Sequence, residues 1–431
     1  MSQKNDKIAL INLGCPKNDV DSEILAGHLK SQGAQIISNP EEADTIFINT
    51  CGFIKEAKEE SIQTILQALQ LKGKNGYPKI YVWGCLSQRY RGEIEKELPE
   101  VDGFFGVEPF ELMGRSLYGR TILWKEGWKN RQLSTPSHVA YVKIADGCSH
   151  QCTFCAIPLI KGKTRSRSAQ SIIEEVILLV ERGVKEIILV AQDTTAYGRD
   201  LEGDTNLYFL LQQLLTIPNL KWIRLLYAHP LHLSDDVINL MASEEKICSY
   251  IDLPLQHISN TVLKKMGRGT SKGMIEALIH KLREQVPDLI LRTTFIVGFP
   301  GETDGDFEEM LDFVQKMRFE RMGAFVYSHE EGTKAFSYPN LISKEVKRDR
   351  YNHLMEIQNQ ISEEINASLI SKTLPVMIDG FDENQNCYYG RTQGDSLEID
   401  QLVWVQGEIS IGEIVPVLIR ESTIYDLYGR A

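Results

Sequence analysis

The sequence predicts an α/β protein in three parts: an N-terminal parallel α/β domain, a central (β/α)6 partial barrel and a small all-β barrel at the C-terminus. Three observations carry this. Short apolar runs alternate with helical patterns near the start, the alternation resumes for six units from Ala140, and the last stretch turns to short strands between turn residues. A chain of 431 residues has room for two to three domains of ~100–200 residues each.

In the first part, Lys7–Leu13, Thr45–Asn49 and Lys79–Trp83 read as strands, and Asp21–Lys30, Glu59–Leu71 and Arg91–Leu98 as helices. Strands that are apolar throughout imply a parallel sheet covered on both faces. This domain is expected over 5–116 and a linker over 117–136, where the rhythm is lost and Lys125–Arg131 is polar.

The barrel is expected over 137–368. Its strands are Tyr141–Ala145, Glu186–Ala191, Trp222–Tyr227, Tyr250–Leu255, Ile290–Val297 and Met322–Tyr327. Helical patterns are clearest at Ser171–Glu181 and Phe307–Met317, and a long amphipathic helix over Lys344–Ser368 ends the domain. An active site belongs at the C-terminal ends of such strands. Over 369–431, Leu374–Asp379, Cys387–Arg391, Leu402–Val405 and Ile414–Ile419 predict a small β-barrel.

Net charge is −12, which argues against a large nucleic-acid interface, because Lys and Arg supply most non-specific affinity for phosphates. No apolar run is long enough for a bilayer and the N-terminus has no cleavable pattern, so the expected location is cytoplasmic, with no membrane partner. Eight cysteines are too few for a secreted disulfide scaffold and are expected as metal ligands, reactive thiols or small buried residues.

Three of them, Cys148, Cys152 and Cys155, fall in one short loop after the first barrel strand. A [4Fe–4S] cluster takes four ligands, usually thiolates, so a three-cysteine loop leaves one iron open to a cofactor or substrate. Structural zinc prefers two Cys-x-x-Cys pairs or Cys₂His₂, and no second pair exists here; His150 or Cys248 completes a set only by coincidence of folding.

This Cys-x-x-x-Cys-x-x-Cys loop, with Phe154 before the last cysteine, resembles the signature of radical S-adenosylmethionine enzymes. The resemblance implies that the cofactor's methionyl amine and carboxylate chelate the open iron. Electron transfer from the cluster then gives methionine and a 5′-deoxyadenosyl radical, able to break an unactivated C–H bond. It also implies cofactor contacts at later strand ends, with Gln192, Asp193, Arg224, Gly298 and Gly301 as candidates. The two glycines would let backbone approach the adenosyl group.

A second set is spread along the chain. Cys15, Cys51 and Cys85 each follow one of the first three strands, and strand C-termini of a parallel sheet share one edge, where α/β folds bind ligands. Three small buried residues would be the bland reading. Their common topological position favours a shared metal site instead, again with three ligands.

Two such sets, ahead of and within a barrel that is followed by a β domain, resemble the methylthiotransferases over essentially the whole chain. That family implies two [4Fe–4S] clusters, one S-adenosylmethionine as methyl donor and a second as radical source. It also implies an electron donor such as flavodoxin or ferredoxin, and a C-terminal module of the TRAM type. Cys15-Pro16-Lys17-Asn18 after Gly14 is similar to the branch that modifies an aspartate in small-subunit ribosomal protein S12 (RimO type); the tRNA branch (MiaB type) typically reads Gly-Cys-Gln-Met-Asn. Val190–Gly198 and Gly323–Gly332 resemble the ribosomal branch too. No tRNA partner is expected. The rivals are a tRNA methylthiotransferase and a non-catalytic iron–sulfur or zinc adaptor that binds ribosomes.

Charge points the same way. From Ser371 onward, four basic residues face ten acids (Asp379, Asp382, Glu383, Asp395, Glu398, Asp400, Glu408, Glu413, Glu421, Asp426), which suits a basic protein better than RNA. Against this stand two basic loops, Lys161, Lys163, Arg165 and Arg167, then Lys264, Lys265, Arg268 and Lys272. They are expected either as solvated faces or at the barrel mouth, facing an acidic substrate or the cofactor carboxylate. Cys248 and Cys387 are expected as packed thiols, and His229, at the end of the third strand, in a structural hydrogen bond sooner than against substrate; Gln256 and His257 close the fourth strand. No Ser–His–Asp set or phosphate loop supports a hydrolase or an NTPase.

Overall fold

Apolar runs at the start of the chain form five parallel strands in the computed structural model, which describes residues 6–73, 76–107 and 124–431. β1 (Lys7–Asn12), β2 (Gln35–Ile37), β3 (Thr45–Thr50), β4 (Lys79–Gly84) and β5 (Gly103–Phe104) lie in the order β2-β1-β3-β4-β5. Helices α1 (Pro16–Ser31), α2 (Lys55–Gln70) and α3 (Cys85–Glu97) connect them. Ala9, Ile46, Ile48, Ile80 and Val82 pack on one face, and Ile8, Phe47 and Trp83 on the other. That two-sided burial is why these strands are apolar throughout.

The barrel sheet has six parallel strands. β6 (Val139–Lys143) is followed by a two-stranded ribbon of β7 (Ala145–Asp146) and β8 (Arg165–Ser166). Then come β9 (Glu186–Val190), β10 (Trp222–Leu225), β11 (Ile247–Asp252), β12 (Ile290–Val297) and β13 (Arg321–Val326), in sequential order with β6 and β13 at the edges. Around them run α4 (Ile157–Lys161), α5 (Ala169–Glu181), α6 (Leu207–Leu215), α7 (Asp235–Ser243), α8 (Asn260–Met266), α9 (Lys272–Gln285), α10 (Asp304–Met317) and α11 (Lys344–Ala367). Alternate residues divide the strands: Ala140, Val142, Ile187, Leu189, Ile223 and Leu225 pack with the helices. Tyr141, Ile188, Val190, Trp222 and Tyr250 turn to the other face, where they meet parts of both flanking domains.

The C-terminal strands are β14 (Thr373–Asp382), β15 (Cys387–Arg391), β16 (Val403–Gln406), β17 (Ile414–Ser422) and β18 (Leu427–Arg430), in a closed barrel of order β14-β15-β16-β18-β17. β18, which the sequence pattern does not announce, closes it by pairing parallel to β16 and antiparallel to β17. Val376, Ile378, Val403, Val405, Val417, Ile419 and Leu427 fill the interior.

Two expectations change. Part of the expected linker (117–123), and the end of the first domain, lie outside the described residues. The rest is no free linker. Trp124–Asn130 is a 3-10 turn packed so closely on α1 that a Cβ at Gly27 would come within 1.9 Å of the Asn130 carbonyl oxygen. Trp128 is buried, and Arg131 is fully buried between Glu23 (2.6 Å) and Glu175 (2.5 Å). Its polarity is that of a salt-bridged seam.

The acidity of the C-terminal domain is likewise not all surface charge. Arg391 bridges Asp379 (2.6 Å) to Glu186 (2.8 Å), Arg321 pairs with Asp395 (2.7 Å), and Arg292 with Asp400 (3.2 Å). The carboxylates of those three acids are buried against the central barrel and neutralised by its arginines, or by Arg391. Of the other seven, Glu383, Glu398, Glu408, Glu413 and Glu421 are exposed, while half-buried Asp382 and Asp426 accept hydrogen bonds within the domain.

Candidate active site

Sequence places Cys15, Cys51 and Cys85 after β1, β3 and β4, which are neighbours in the sheet. Gly14 (φ +109°) and Gly84 (φ +98°) supply left-handed turns that allow a helix to start at once, so Cys15 caps α1 and Cys85 begins α3. A Cβ on Gly14 would sit 3.2 Å from Cys51 Cβ, and one on Gly52 would sit 2.8 Å from the Cys85 carbonyl carbon. The three loops therefore meet. Two of the thiols lie at the positive ends of helix dipoles, which favours thiolate. Burial opposes this and pushes the Cys85 thiol up to about 12, with the Lys161 ammonium pulling it down. Deprotonation on binding iron offsets that burial cost.

Cys148, Cys152 and Cys155 occupy the loop after β7. Gly147 (φ +79°) makes the entry, and a Cβ there would collide with Lys163 O at 2.2 Å. Burial pushes the Cys155 thiol up to about 12 and Cys148 upward too. Arg268 Nη1 stands 3.6 Å from Cys152 Sγ, a cation at an intended thiolate. Both sets suit a soft iron–sulfur group: all-thiol donors, half-buried or (Cys85) buried, with a lysine or arginine nearby.

A buried charge network joins the two sets. Lys161 Nζ lies 3.2 Å from Asp146 Oδ2 and 3.6 Å from Asp21 Oδ2, and Lys143 pairs with the same two carboxylates. Burial would raise Asp146, but Lys161 and Lys143 overcome it and hold the carboxyl well below its usual range. Asp21 belongs to the N-terminal domain and Asp146 precedes the barrel cysteines, so one lysine ties both loops. Lys161 is thus not a solvated charge, and neither is Arg167, which pairs with Glu175 at 2.5 Å.

Among the candidate cofactor contacts, Gln192 and Asp193 lie at the barrel mouth. Gln192 Nε2 donates to Asp146 Oδ1 (2.9 Å), and its Oε1 is buried with no partner among the described residues. Asp193 is engaged on both oxygens: His150 Nε2 and His232 Nδ1 each stand 2.7 Å from Oδ2, and Thr195 Oγ1 donates to Oδ1 at 2.5 Å. Burial would raise its pKa, yet these hydrogen bonds hold it far below the carboxylate range. Gly298 (φ +75°) and Gly301 (φ +76°) shape a turn whose Gly298 and Phe299 amides donate to buried Glu302. A Cβ on Gly298 would meet the Lys347 side chain at 2.4 Å, so close packing against α11 also requires that glycine.

Arg224 is not brought to this site. It is fully buried, bonded to Glu186 (2.8 Å) and to the carbonyl of Gln393 (2.6 Å) in the C-terminal domain. Its remaining donor reaches the Thr392 carbonyl (3.4 Å), so Glu186 and the loop of the small barrel occupy the whole guanidinium. Arg268, named in the second basic loop, does stand beside Cys152; His150 and His232, which sequence reasoning gave no such role, meet on Asp193, and their signal is position in segments already singled out. His229 stacks on His150 with ring centroids 4.0 Å apart.

Comparison with known proteins agrees with this geometry. Residues 7–106 match the family described as "Uncharacterized protein family UPF0004", 142–314 the radical SAM superfamily and 370–431 the TRAM domain. The chain is 46% identical over 437 residues to "Ribosomal protein uS12 methylthiotransferase RimO" of Clostridioides difficile (strain 630), covering 98% of each. It is 43% identical over 444 residues to the protein of the same name from Citrifermentans bemidjiense, covering 100% of this chain and 99% of that one. In fold it is similar to the radical S-adenosylmethionine methyltransferase TsrM of Kitasatospora setae (TM-score 0.53, 13% identity, 75% of this chain and 72% of that one). Matched nearly end to end by such relatives, the chain belongs to the RimO family of ribosomal protein uS12 methylthiotransferases.

Proposed function

We propose that this chain methylthiolates the β-carbon of an aspartate in small-subunit ribosomal protein S12, in the cytoplasm, using two [4Fe–4S] clusters and two molecules of S-adenosylmethionine. The observation that carries the reading is the pair of three-cysteine sets, joined by Lys161 between Asp21 on α1 and Asp146 before the barrel cysteines. Relatives at 43–46% identity bear the matching name. When bound, the clusters and the cofactor supply one-electron cleavage to a radical, sulfur and a methyl group.

The chain's own residues hold and orient. Cys148, Cys152 and Cys155 would carry the cluster that receives the cofactor, and Cys15, Cys51 and Cys85 the auxiliary one. Gln192 and the Gly298–Gly301 turn are offered as cofactor contacts at the mouth. Asp193 acts through His150 and His232, fixing which ring nitrogens face outward. Lys17, with its Nζ 3.4 Å from the Tyr227 ring centroid, keeps the N-terminal loop seated on the barrel mouth. A one-electron donor such as flavodoxin or ferredoxin is required from outside.

The test is anaerobic reconstitution followed by two assays, 5′-deoxyadenosine formation and the mass of the ribosomal protein. Cys148→Ala should abolish both, whereas Cys51→Ala should keep cofactor cleavage and lose sulfur insertion. Abundant 5′-deoxyadenosine from Cys148→Ala, or a wild-type enzyme that modifies tRNA and not the ribosomal protein, would overturn the proposal.

A further inference from the structure

Where the N-terminal domain meets the barrel mouth, a buried cation stands without an anion. Lys143, Lys161, Arg131, Arg224 and Arg391 are buried too, and each pairs with a carboxylate. Lys17 does not. It is 8% exposed, its Nζ stands 3.4 Å from the centroid of the Tyr227 ring, and no carboxylate among the described residues lies within ion-pair distance of it. An aromatic face meets one side of an ammonium and leaves N–H donors over. Buried charges are as a rule paired, so a lone one marks where a ligand's opposite charge belongs.

Its place follows from the turn that begins α1. Cys15 caps the helix and Pro16 opens it, so Lys17 falls in the first turn. A cation there meets the positive end of the helix dipole, an unfavourable position that an anion beside it would relieve. Asn18 fixes the turn: its Nδ2 donates to Leu13 O (2.9 Å) and reaches Thr50 O (3.5 Å), on the residue before Cys51. The ring under the ammonium is fixed as well. Tyr227 follows β10 with φ +60°, a left-handed conformation that a bulky residue rarely takes. Its amide donates to Asp252 Oδ2 (3.0 Å), and its carbonyl accepts the Thr194 amide (3.1 Å). Lys17 thus stands between the N-terminal cysteine loops and the strand ends that carry Gln192 and Asp193.

The reaction needs an anion at this spot. The β-carbon of the target aspartate must be reachable from both cysteine sets, and the side-chain carboxylate is one bond from that carbon. An ammonium with N–H donors to spare, screened from bulk water, is a strong partner for a carboxylate.

We propose that Lys17 binds the side-chain carboxylate of the target aspartate and so selects an acidic residue over its amide. The assignment rests on the function proposed above. Tyr227 holds the ammonium, and the ammonium holds the carboxylate, which orients the carbon beside it. An asparagine offers one neutral acceptor in place of two that share a charge, and it is the poorer substrate for that reason.

The experiment uses the reconstituted enzyme as wild type, Lys17→Met and Lys17→Arg, each checked for full iron. Methionine keeps an unbranched stem against Tyr227 without the charge, and arginine keeps the charge. Measured are kcat and KM for the ribosomal protein and for the same protein with Asn at the target position, and the dissociation constant of S-adenosylmethionine. Wild type should prefer Asp over Asn by about tenfold or more in kcat/KM. Lys17→Met should lose that preference, mainly through a raised KM for the Asp protein, with cofactor affinity unchanged; Lys17→Arg should keep most of it. A role confined to seating the loop would impair both substrates alike and leave the ratio intact. The wild-type ratio in an iron-replete Lys17→Met enzyme would overturn the site, and so would a loss confined to cofactor affinity. If Lys17→Met fails to hold iron, binding by wild type decides: Asp protein held about tenfold tighter than Asn protein supports the site, and equal affinity overturns it. A wild type that leaves the ribosomal protein unmodified overturns the proposed function and this assignment together, whereas an active wild type with an unaltered ratio in the variant overturns the assignment alone.

Discussion

Arg131 Nη2 lies 2.6 Å from Glu23 Oε2, and through this contact a residue just before the barrel is anchored to the first helix of the chain. The same guanidinium reaches Glu175 on α5 and the Tyr141 carbonyl (2.6 Å), so three elements meet on one side chain. Arg131→Met should leave Glu23 and Glu175 buried with fewer cations. Removing one partner of a buried ion pair costs about 3–5 kcal/mol. Urea unfolding should show a loss of that order; a loss below about 1 kcal/mol, the scale of an exposed pair, would refute the seam.

The two cysteine sets predict iron in two portions. Replacing Cys148, Cys152 and Cys155 together by Ala should leave about half the iron of the anaerobically purified protein, and so should replacing Cys15, Cys51 and Cys85. Iron that stays at the wild-type level whichever set is replaced would overturn the two-site reading.

The C-terminal acids should divide by burial. Glu408 is exposed, and Glu408→Lys should change unfolding free energy by less than about 0.5 kcal/mol. Asp400 accepts from Arg292 Nε (3.2 Å), Tyr250 Oη (2.8 Å) and the Ser396 amide (2.9 Å), and Asp400→Lys would set a cation against Arg292 and Arg321. A loss of several kcal/mol in denaturant is expected there. Equal stability of the two variants would mean that the seam is not load-sharing in solution.

Asp19 predicts a pH dependence of definite sign. Burial first, then the nearby charges of Glu23 and Glu398, push its carboxyl up to about 7. The folded state then keeps a proton that the unfolded chain releases above its ordinary pKa of about 3.9. Stability attributable to Asp19 therefore falls as pH rises from about 4 to 7 and levels off above. Asp19→Asn, which keeps the oxygen facing Asn12, removes that fall. The variant should gain on wild type by about 1.4 kcal/mol per pH unit across the window. Parallel stability curves for the two proteins from pH 4 to 8 would exclude the shift.

Much of this was legible in the sequence, for physical reasons. Cys15, Cys51 and Cys85 end strands whose apolar runs mark a parallel sheet, and the end of a strand is a position that spacing alone can identify. What stayed hidden depends on contacts between distant segments. The resemblance offers Arg224 as a cofactor contact, but its guanidinium is taken by Glu186 and by the carbonyls of Thr392 and Gln393, far along the chain. Arg131 and Asp400 looked like linker and surface charge because a single sequence does not distinguish a solvated ion from a buried pair. β18 was missed because Leu427–Arg430 is only four residues and alternates weakly.

Helix α1 buries residues on all sides: Leu25 and Leu29 against the first sheet, Val20 and Ile24 inside the barrel. A helix owned jointly by two sheets makes neither one separable. Cutting the gene at the domain boundaries would yield an N-terminal fragment with an apolar helix flank bare to solvent, and a barrel fragment with a gap where Val20 and Ile24 belonged. Such pieces should aggregate when made alone and recover only when produced together, as complementing halves. The same joint ownership means that, in evolution, the two sheets could exchange partners with other proteins only by carrying this helix along.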